Sequence, residues 1–281
     1  MITLSVIIPT IAKDIRLLER AIDSIITNRN IDIEIVIVND NRKACSLLEN
    51  LSQKYSSYNI HVYQNEGVKG AGGARNFGVQ QASGDLITFL DDDDFILPGR
   101  LERMIECFNK QHADNIILVS TGRVYEYNDF ERVEVVKKQM FGTLRLTDIY
   151  IHNQIDIGFM VKRSTFLAIN GFDTTFKNLE DWDFIIRCLE LGNAYKIKTH
   201  SYIVKNDINT HRVSNNDYIG LSQLANKHRG KFGEKWFYKI KTQELRSSAN
   251  LNLIETANLF FKLRSFYPVK HYISTLLRRS S

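Results

Sequence analysis

Four consecutive acids, Asp91-Asp92-Asp93-Asp94, directly follow the apolar run Leu86-Ile87-Thr88-Phe89-Leu90. That run reads as a buried strand, so the acids emerge at its C-terminal end, where ligand crevices lie in open α/β sheets. Two ionised carboxylates about 4 Å apart repel by roughly 4 kcal/mol at an effective dielectric near 20. A chain that gathers several acids at one strand end therefore recruits a compensating cation. Carboxylates on a short loop suit a hard ion such as Mg²⁺ or Mn²⁺, which binds through one or two of them plus substrate phosphates. The competing reading is a solvated acidic turn ahead of a helix that begins near Pro98, with Asp94 at its N-terminus.

Three further groups carry possible chemistry. The loop Gly67-Val68-Lys69-Gly70-Ala71-Gly72-Gly73-Ala74-Arg75-Asn76 lies between a strand and a helix. Clustered glycines let backbone amides approach an anion, the helix N-terminus favours negative charge, and Arg75 adds a charged donor for a diphosphate. The loop is not the dinucleotide fingerprint, which follows the first strand, and it lacks the Gly-Lys-Ser/Thr ending of a P-loop. Asp40, flanked by Asn39 and Asn41, closes a second strand and suits either a base or ribose contact or an Asx turn. In Glu180-Asp181-Trp182-Asp183 the acids open a helix, as dipole partners often do. Trp182 between two acids also lowers water access, which tunes a carboxylate toward general-base work. His211, followed by Arg212, permits metal ligation, although a lone histidine is more often a satisfied surface residue.

These residues need a frame. Leu4–Ile8 reads as a strand stopped at Pro9-Thr10, and the helical spacing of Leu17, Leu18, Ala21, Ile22, Ile25 and Ile26 follows. A strand over 33–38, a helix over about 43–55, a strand over 60–63 and a helix near 74–82 lead to the strand before the tetrad. Strands alternating with helices of this length predict a parallel sheet covered on both faces. A helix over 101–106 leads out. Beyond it, 116–120, 123–127 and 133–137 read as hairpins or a meander, and 143–153 and 162–170 as helices. Phe184–Leu191 returns to helical spacing and stops at Gly192. The remainder reads as helices with basic and aromatic residues interleaved.

A chain of 281 residues, 43% hydrophobic and 25% charged, has the composition of an ordinary globular protein with ample core. The three cysteines are far apart, without CxxC spacing, which argues against structural zinc or a disulfide framework and favours a reducing cytosol. The N-terminus reads as a strand and not a signal peptide, and no apolar stretch approaches the roughly 18 residues of a membrane span. The net charge of +5 is uneven. Residues 214–281 hold twelve Lys and Arg against four Asp and Glu, so that segment carries +8 and the rest −3. A basic tail on an acidic body suits a polyanionic surface or a solvated helical face. Its aromatics (Trp236, Phe237, Tyr238, Phe260, Phe261, Phe266, Tyr267 and Tyr272) suit either an anionic membrane interface or packing within the molecule or against a second copy.

Taken in order, SVIIPT, IVNDN, GGARN, FLDDDD, GFD and EDWDFIIR resemble family 2 glycosyltransferases over roughly residues 2–192. The resemblance implies an α/β, GT-A-like fold, a mainly parallel sheet flanked by helices, to which the pattern of the remaining residues adds a helical C-terminal extension. It implies a nucleotide-sugar half over 1–105 and an acceptor half over 106–213, whereas the basic helical extension over 214–281 is read from its own charge and helical pattern. It implies an inverting hexosyltransferase that takes a nucleotide sugar, expected to be a UDP-hexose, to a hydroxyl on a glycan, glycolipid or glycoprotein. Carried over by position, Pro9, Thr10 and Asp40 hold the nucleobase and ribose, and Arg75, Asp91 and Asp92 contribute to nucleotide-sugar binding. Asp91 and Asp93 form the DxD pair on Mn²⁺ or Mg²⁺, Asp93 as the leading ligand, with His211 a further candidate. The same resemblance implies Asp181 as the catalytic base. Asn39-Asp40-Asn41 departs from the family's usual Asp-Asp-Gly/Ser, and the continuous tetrad leaves open which acids take the DxD roles. The implied setting is cytoplasmic, with possible attachment to an anionic membrane face, a possible homo-oligomer through the extension, and no nucleic acid. Competing readings are a degenerate sugar-nucleotide-binding scaffold and a sugar-nucleotidyltransferase. The latter would carry its glycines after the first strand, where Pro9-Thr10-Ile11-Ala12 stands.

Overall fold

The β-rich run at the start forms strand β1 (Thr3–Thr10), with Leu4–Thr10 buried, as expected for a strand covered on both faces. The computed structural model describes residues 3–28, 31–110, 114–136, 138–206, 217–248 and 252–279. Helix α1 (Ile15–Ile26) is capped by the Asp14 carboxylate, which accepts from the Arg16 amide at 3.0 Å, and buries Leu18, Ala21, Ile22 and Ile25. Strand β2 (Asp32–Asn39), a 3-10 turn (Arg42–Ala44), helix α2 (Cys45–Lys54), strand β3 (Ile60–Gln64), helix α3 (Ala71–Gln81) and strand β4 (Leu86–Phe89) follow. The predicted strand–helix alternation stands, with each boundary within a few residues.

Strands β1, β2, β3 and β4 pair in parallel in the order β3-β2-β1-β4. The chain steps outward from β1 to β3 and returns to the other side of β1 with β4. A crevice therefore opens at the C-terminal ends of β1 and β4, where neighbouring connections leave in opposite directions.

The second half departs from local expectation. Strand β5 (Phe95–Ile96) precedes helix α4 (Arg100–Lys110). The segments 116–120 and 123–127 are one strand, β6 (Ile116–Tyr127), continuous through Ser120, Thr121 and Gly122. It stays continuous because β10 (Asn193–Lys205) runs parallel beside it, with register shifts around His200. Pairing along a long neighbour outweighs the weak strand preference of Gly122. β7 (Arg132–Val135) forms the expected hairpin with β6. Residues 143–153 are not one helix: β8 (Gly142–Leu144) pairs antiparallel with β10, and only the single turn α5 (Leu146–Ile149) is helical. Strand β9 (Met160–Lys162) bridges β4 and β6 antiparallel, so the sheet is mixed although its long pairings are parallel. Helices α6 (Arg163–Ala168) and α7 (Glu180–Cys188) precede β10.

Two compact units divide the chain: Met1–Thr174 with Phe184–Ile208, and Thr175–Asp183 with Asn209–Ser281. The first holds the whole sheet. The second holds α8 (Asp217–Ser247, broken at Gly233), α9 (Leu253–Leu263) and α10 (Tyr267–Arg279). Leu224, Ala225, Trp236, Ile240 and Leu259 are buried there. The expected basic, aromatic helices are thus present. Trp236 is buried, whereas Phe261 and Phe266 are exposed.

Candidate active site

The tetrad leaves β4 at the crevice, and each acid is held differently. Asp91 is ion-paired to Arg75 at 2.5 Å. Arg75 is itself buried in the second turn of α3, with its guanidinium 5.8 Å from the Phe172 ring. Asp92 accepts from the Thr10 hydroxyl at the end of β1, and that hydroxyl in turn accepts from the Ala12 amide at 2.8 Å. Burial raises the Asp92 pKa, partly offset by the Thr10 bond. The backbone carbonyl of Asp93 accepts from Arg20 of α1 at 2.8 Å.

Asp94 turns inward instead. It is buried and accepts from the Lys205 amide of β10 at 3.1 Å, so it does not cap the following helix, which starts at Arg100. Burial, reinforced by the charges of Asp93 and Asp91, holds its carboxyl well above the usual range. The tetrad is thereby sorted into three half-buried acids at the crevice and one buried anchor.

Asp40 is not an Asx-turn residue. Its two oxygens accept from the Asn65 amide group at 2.7 Å and from the Gly70 backbone N–H at 2.8 Å. The Asx turns belong to its neighbours, where the amides of Asn41 and Lys43 bond the side chains of Asn39 and Asn41. Asp40 therefore ties the end of β2 to the glycine-rich loop. Gly70 takes φ +100°, a conformation L side chains rarely adopt, and a Cβ on Gly73 would stand 1.9 Å from the Val68 carbonyl oxygen. The glycines let the loop fold back closely before α3 begins. Pro9 and Thr10 are both buried at the end of β1, with the Thr10 side chain turned toward Asp92.

Sequence reading missed several residues that hold this arrangement. Asn65 bonds Asp40, the Val68 carbonyl and, through its own carbonyl, the Gly67 amide. Asn76 makes a reciprocal pair with the backbone of Phe172, both bonds at 2.8 Å, which joins GGARN to GFD across 96 residues. Phe172 belongs to a buried aromatic wall with Phe89, Phe159, Phe166 and Phe184 beneath β4. Buried Glu126 pairs with Arg20 at 3.3 Å and faces Lys205 at 3.7 Å. Asparagines stand at the ends of β2 and β3 and within α3, but nothing local says which of them reaches across.

In the second unit, Asp181 lies half-buried in the first turn of α7, beside Glu180 and buried Trp182. Leu179, just before the helix, sits in the left-handed region at φ 62°, a conformation that costs an L residue roughly 1–2 kcal/mol. Asp183 is fully buried and pairs with Lys227 at 2.8 Å and His228 at 2.9 Å. The four-residue acidic run thus contains one structural ion pair, and Glu180 and Asp181 remain as partly exposed carboxylates.

His211 lies outside the described residues. Among the described residues no three His, Cys, Asp or Glu side chains converge as a metal cluster. The donor set nevertheless fits a hard divalent ion, because such ions bind through one or two carboxylates when phosphates complete the shell. Asp91 and Asp93 supply carboxylates at the crevice.

A mixed sheet whose β3-β2-β1-β4 strands run parallel, with acids, a glycine-rich loop and a buried arginine gathered at their C-terminal ends, is the architecture of a GT-A-like fold. Residues 5–169 match the profile described as glycosyl transferase family 2, and the chain belongs to that family. It is 28% identical over 272 residues, 94% of this chain and 82% of the other, to the GalNAc(5)-diNAcBac-PP-undecaprenol beta-1,3-glucosyltransferase of Campylobacter jejuni. It is 33% identical over 169 residues, 59% of each chain, to an uncharacterized glycosyltransferase of Bacillus subtilis. The S. aureus TarS structure in complex with UDP-GlcNAc shares its fold, with a TM-score of 0.66 at 19% identity over 98% of this chain and 79% of that one. The protein is a glycosyltransferase.

Proposed function

We propose that the enzyme transfers a hexose from a UDP-sugar, with inversion, to a sugar hydroxyl on a lipid-linked glycan. One observation carries the donor half of this reading. Thr10–Asp92, Arg75–Asp91 and Asp40–Gly70 converge at the ends of three adjacent parallel strands, beside amides at the start of α3. That arrangement suits a nucleoside diphosphate, with Asp40 toward the nucleoside and the loop amides and Arg75 toward the phosphates. The UDP-GlcNAc bound in TarS and the undecaprenol-linked acceptor in the Campylobacter enzyme's name support the choice of donor and acceptor.

Asp93 and Asp91 would hold Mg²⁺ or Mn²⁺, which when bound neutralises charge on the departing diphosphate. Asp181 takes the proton from the acceptor hydroxyl as its oxygen forms the new bond to the anomeric carbon and the bond to the UDP oxygen breaks. Attack opposite the leaving group inverts that carbon.

The extension supports a membrane role in the same reading. Ile254, Phe261, Phe266 and Leu277 are 63–85% exposed, and Lys262, Arg264 and Lys270 lie among them. Exposed aromatic and aliphatic side chains beside cations suit an anionic lipid surface, where a lipid-linked acceptor resides. No helix among the described residues is long and apolar enough to cross a membrane.

The test is UDP release from a panel of UDP-sugars. EDTA should abolish turnover and Mn²⁺ or Mg²⁺ restore it. Asp93→Asn should weaken UDP binding in the presence of metal far more than in its absence. Full activity in excess EDTA would remove the metal from the reading, and turnover confined to other nucleotide sugars would remove UDP.

A further inference from the structure

Segment 175–183, which carries Asp181, belongs to the same compact unit as the C-terminal helices and is bonded to α8 along its length. The Gln223 side chain straddles it, accepting from the Lys177 amide at 3.0 Å and donating to the Thr175 carbonyl at 2.8 Å. The Asn178 amide group donates to Asp217 at 2.9 Å. At Gly220 the helix backbone comes so close that a Cβ would stand 2.5 Å from the Asn178 carbonyl oxygen and 3.0 Å from Leu179 Cγ. Lys227 and His228 then pair with Asp183. Positions 217, 220, 223 and 227 recur at three- and four-residue spacing, so these contacts come from one helical face.

Each contact falls within six residues of Asp181, on both sides of it. Asp217, Asn178 and Gly220 bracket left-handed Leu179, two residues before Asp181, and the Asp183 pair lies two residues after. An α-helical first turn is short of internal hydrogen bonds and frays readily, so a carboxylate placed there keeps one direction only if its turn is held from outside. A general base displaced by about 1 Å can lose roughly a hundred-fold in rate.

We propose that α8 is a positioning element for the transfer reaction. Gln223 and His228 fix the segment around Asp181, and Gly220 permits the approach. These residues touch Asp181's own segment and act through Asp181. The inference rests on Asp181 being the base. It gives the C-terminal extension a part in the chemistry that is separate from any surface attachment.

The experiment uses the full chain with His228→Ala, Gln223→Ala, His228→Gln and Asp181→Asn. Hydrogen exchange of the peptide spanning 176–188 should rise in His228→Ala and Gln223→Ala, while peptides from β1 to β4 keep wild-type exchange. UDP release from UDP-glucose or UDP-GlcNAc should show kcat lowered about ten- to hundred-fold, with the UDP Kd within two- to three-fold of wild type. His228→Gln retains an N–H donor for Asp183 and should recover most of the loss. A general folding defect would instead raise exchange throughout and weaken UDP. Unchanged exchange in both alanine variants, or kcat within two-fold of wild type while Asp181→Asn is inactive, would overturn the positioning role and leave the base assignment standing. Normal turnover by Asp181→Asn would overturn the base assignment itself, and the positioning role with it.

Discussion

At the scale of single residues, neighbouring acids have opposite environments. Asp94 and Asp183 are buried anchors, whereas Asp91, Asp93 and Asp181 remain partly open. A carboxylate that is to exchange a proton or an ion with substrate must stay reachable, and one that bonds a neighbouring strand or helix need not. This division sets Asp183 aside as a base and leaves Asp181 and Glu180 as the reachable carboxylates of the run, of which the proposed function uses Asp181. Asp181→Asn should lower turnover about 10²-fold or more, the usual loss for a general base, and leave UDP affinity within a few-fold. Steady-state kinetics and calorimetry on the same preparation read both values. Normal turnover would move the role to Glu180, because Asp183 is already committed to Lys227 and His228.

At the scale of elements, the glycine-rich loop is held by what it meets. Asp40 pins Gly70 from β2, Asn65 pins Val68 from the end of β3, and Asn76 fixes α3 to the Gly171-Phe172 turn. The loop is thus preorganised before any nucleotide arrives, which lowers the ordering cost of binding. Gly73→Ala forces a methyl against the Val68 carbonyl, and only backbone movement can relieve the clash. UDP affinity should fall about ten-fold or more, with a destabilisation of about 1–3 kcal/mol as for other overpacked sites. Titration calorimetry and urea unfolding provide the two numbers. Wild-type UDP affinity in this variant would show that the loop does not contact the nucleotide. Asp40→Ala loses both bonds and should weaken UDP comparably, with stability lower by about 1.5–3 kcal/mol for hydrogen bonds to a charged group.

At the scale of the whole molecule, charge and exposed apolar area coincide in the last two helices. α9, α10 and the turn between them bury Leu259 and Leu263 yet expose Leu253, Ile254, Phe261, Phe266, Ile273, Leu276 and Leu277. Co-sedimentation with vesicles rich in phosphatidylglycerol should capture the full chain at low salt and release it at high salt, since several headgroup contacts contribute about 1 kcal/mol each. Phe261→Glu combined with Phe266→Glu should abolish capture without changing UDP release. Absence of capture, with the double variant altering the oligomeric state instead, would assign these helices to a subunit interface.

The sequence alone determined the first half of the fold and the order of the chemistry. β1, α1, β2 and β4 were readable because each buries an apolar run or stripe of its own, and β3 and α3 because residue types mark their ends. A parallel strand covered on both sides shows as an unbroken apolar run, and a covering helix as a 3.6-residue stripe. The glycines, Asp40, the tetrad and the Glu180–Asp183 run were visible because strand ends and helix starts are marked by residue type. The tertiary structure decided the rest. Ser120, Thr121 and Gly122 are strand because β10 lies beside them, and Lys196 is buried although its type favours the surface. Which acid of each run turns inward depends on a partner that sequence spacing cannot supply: Lys205 for Asp94, and Lys227 with His228 for Asp183. Local periodicity records how a segment meets its own neighbours. Pairing and burial of a polar group depend on segments tens of residues away, because a charge becomes tolerable inside only once another part of the chain has arrived to bond it.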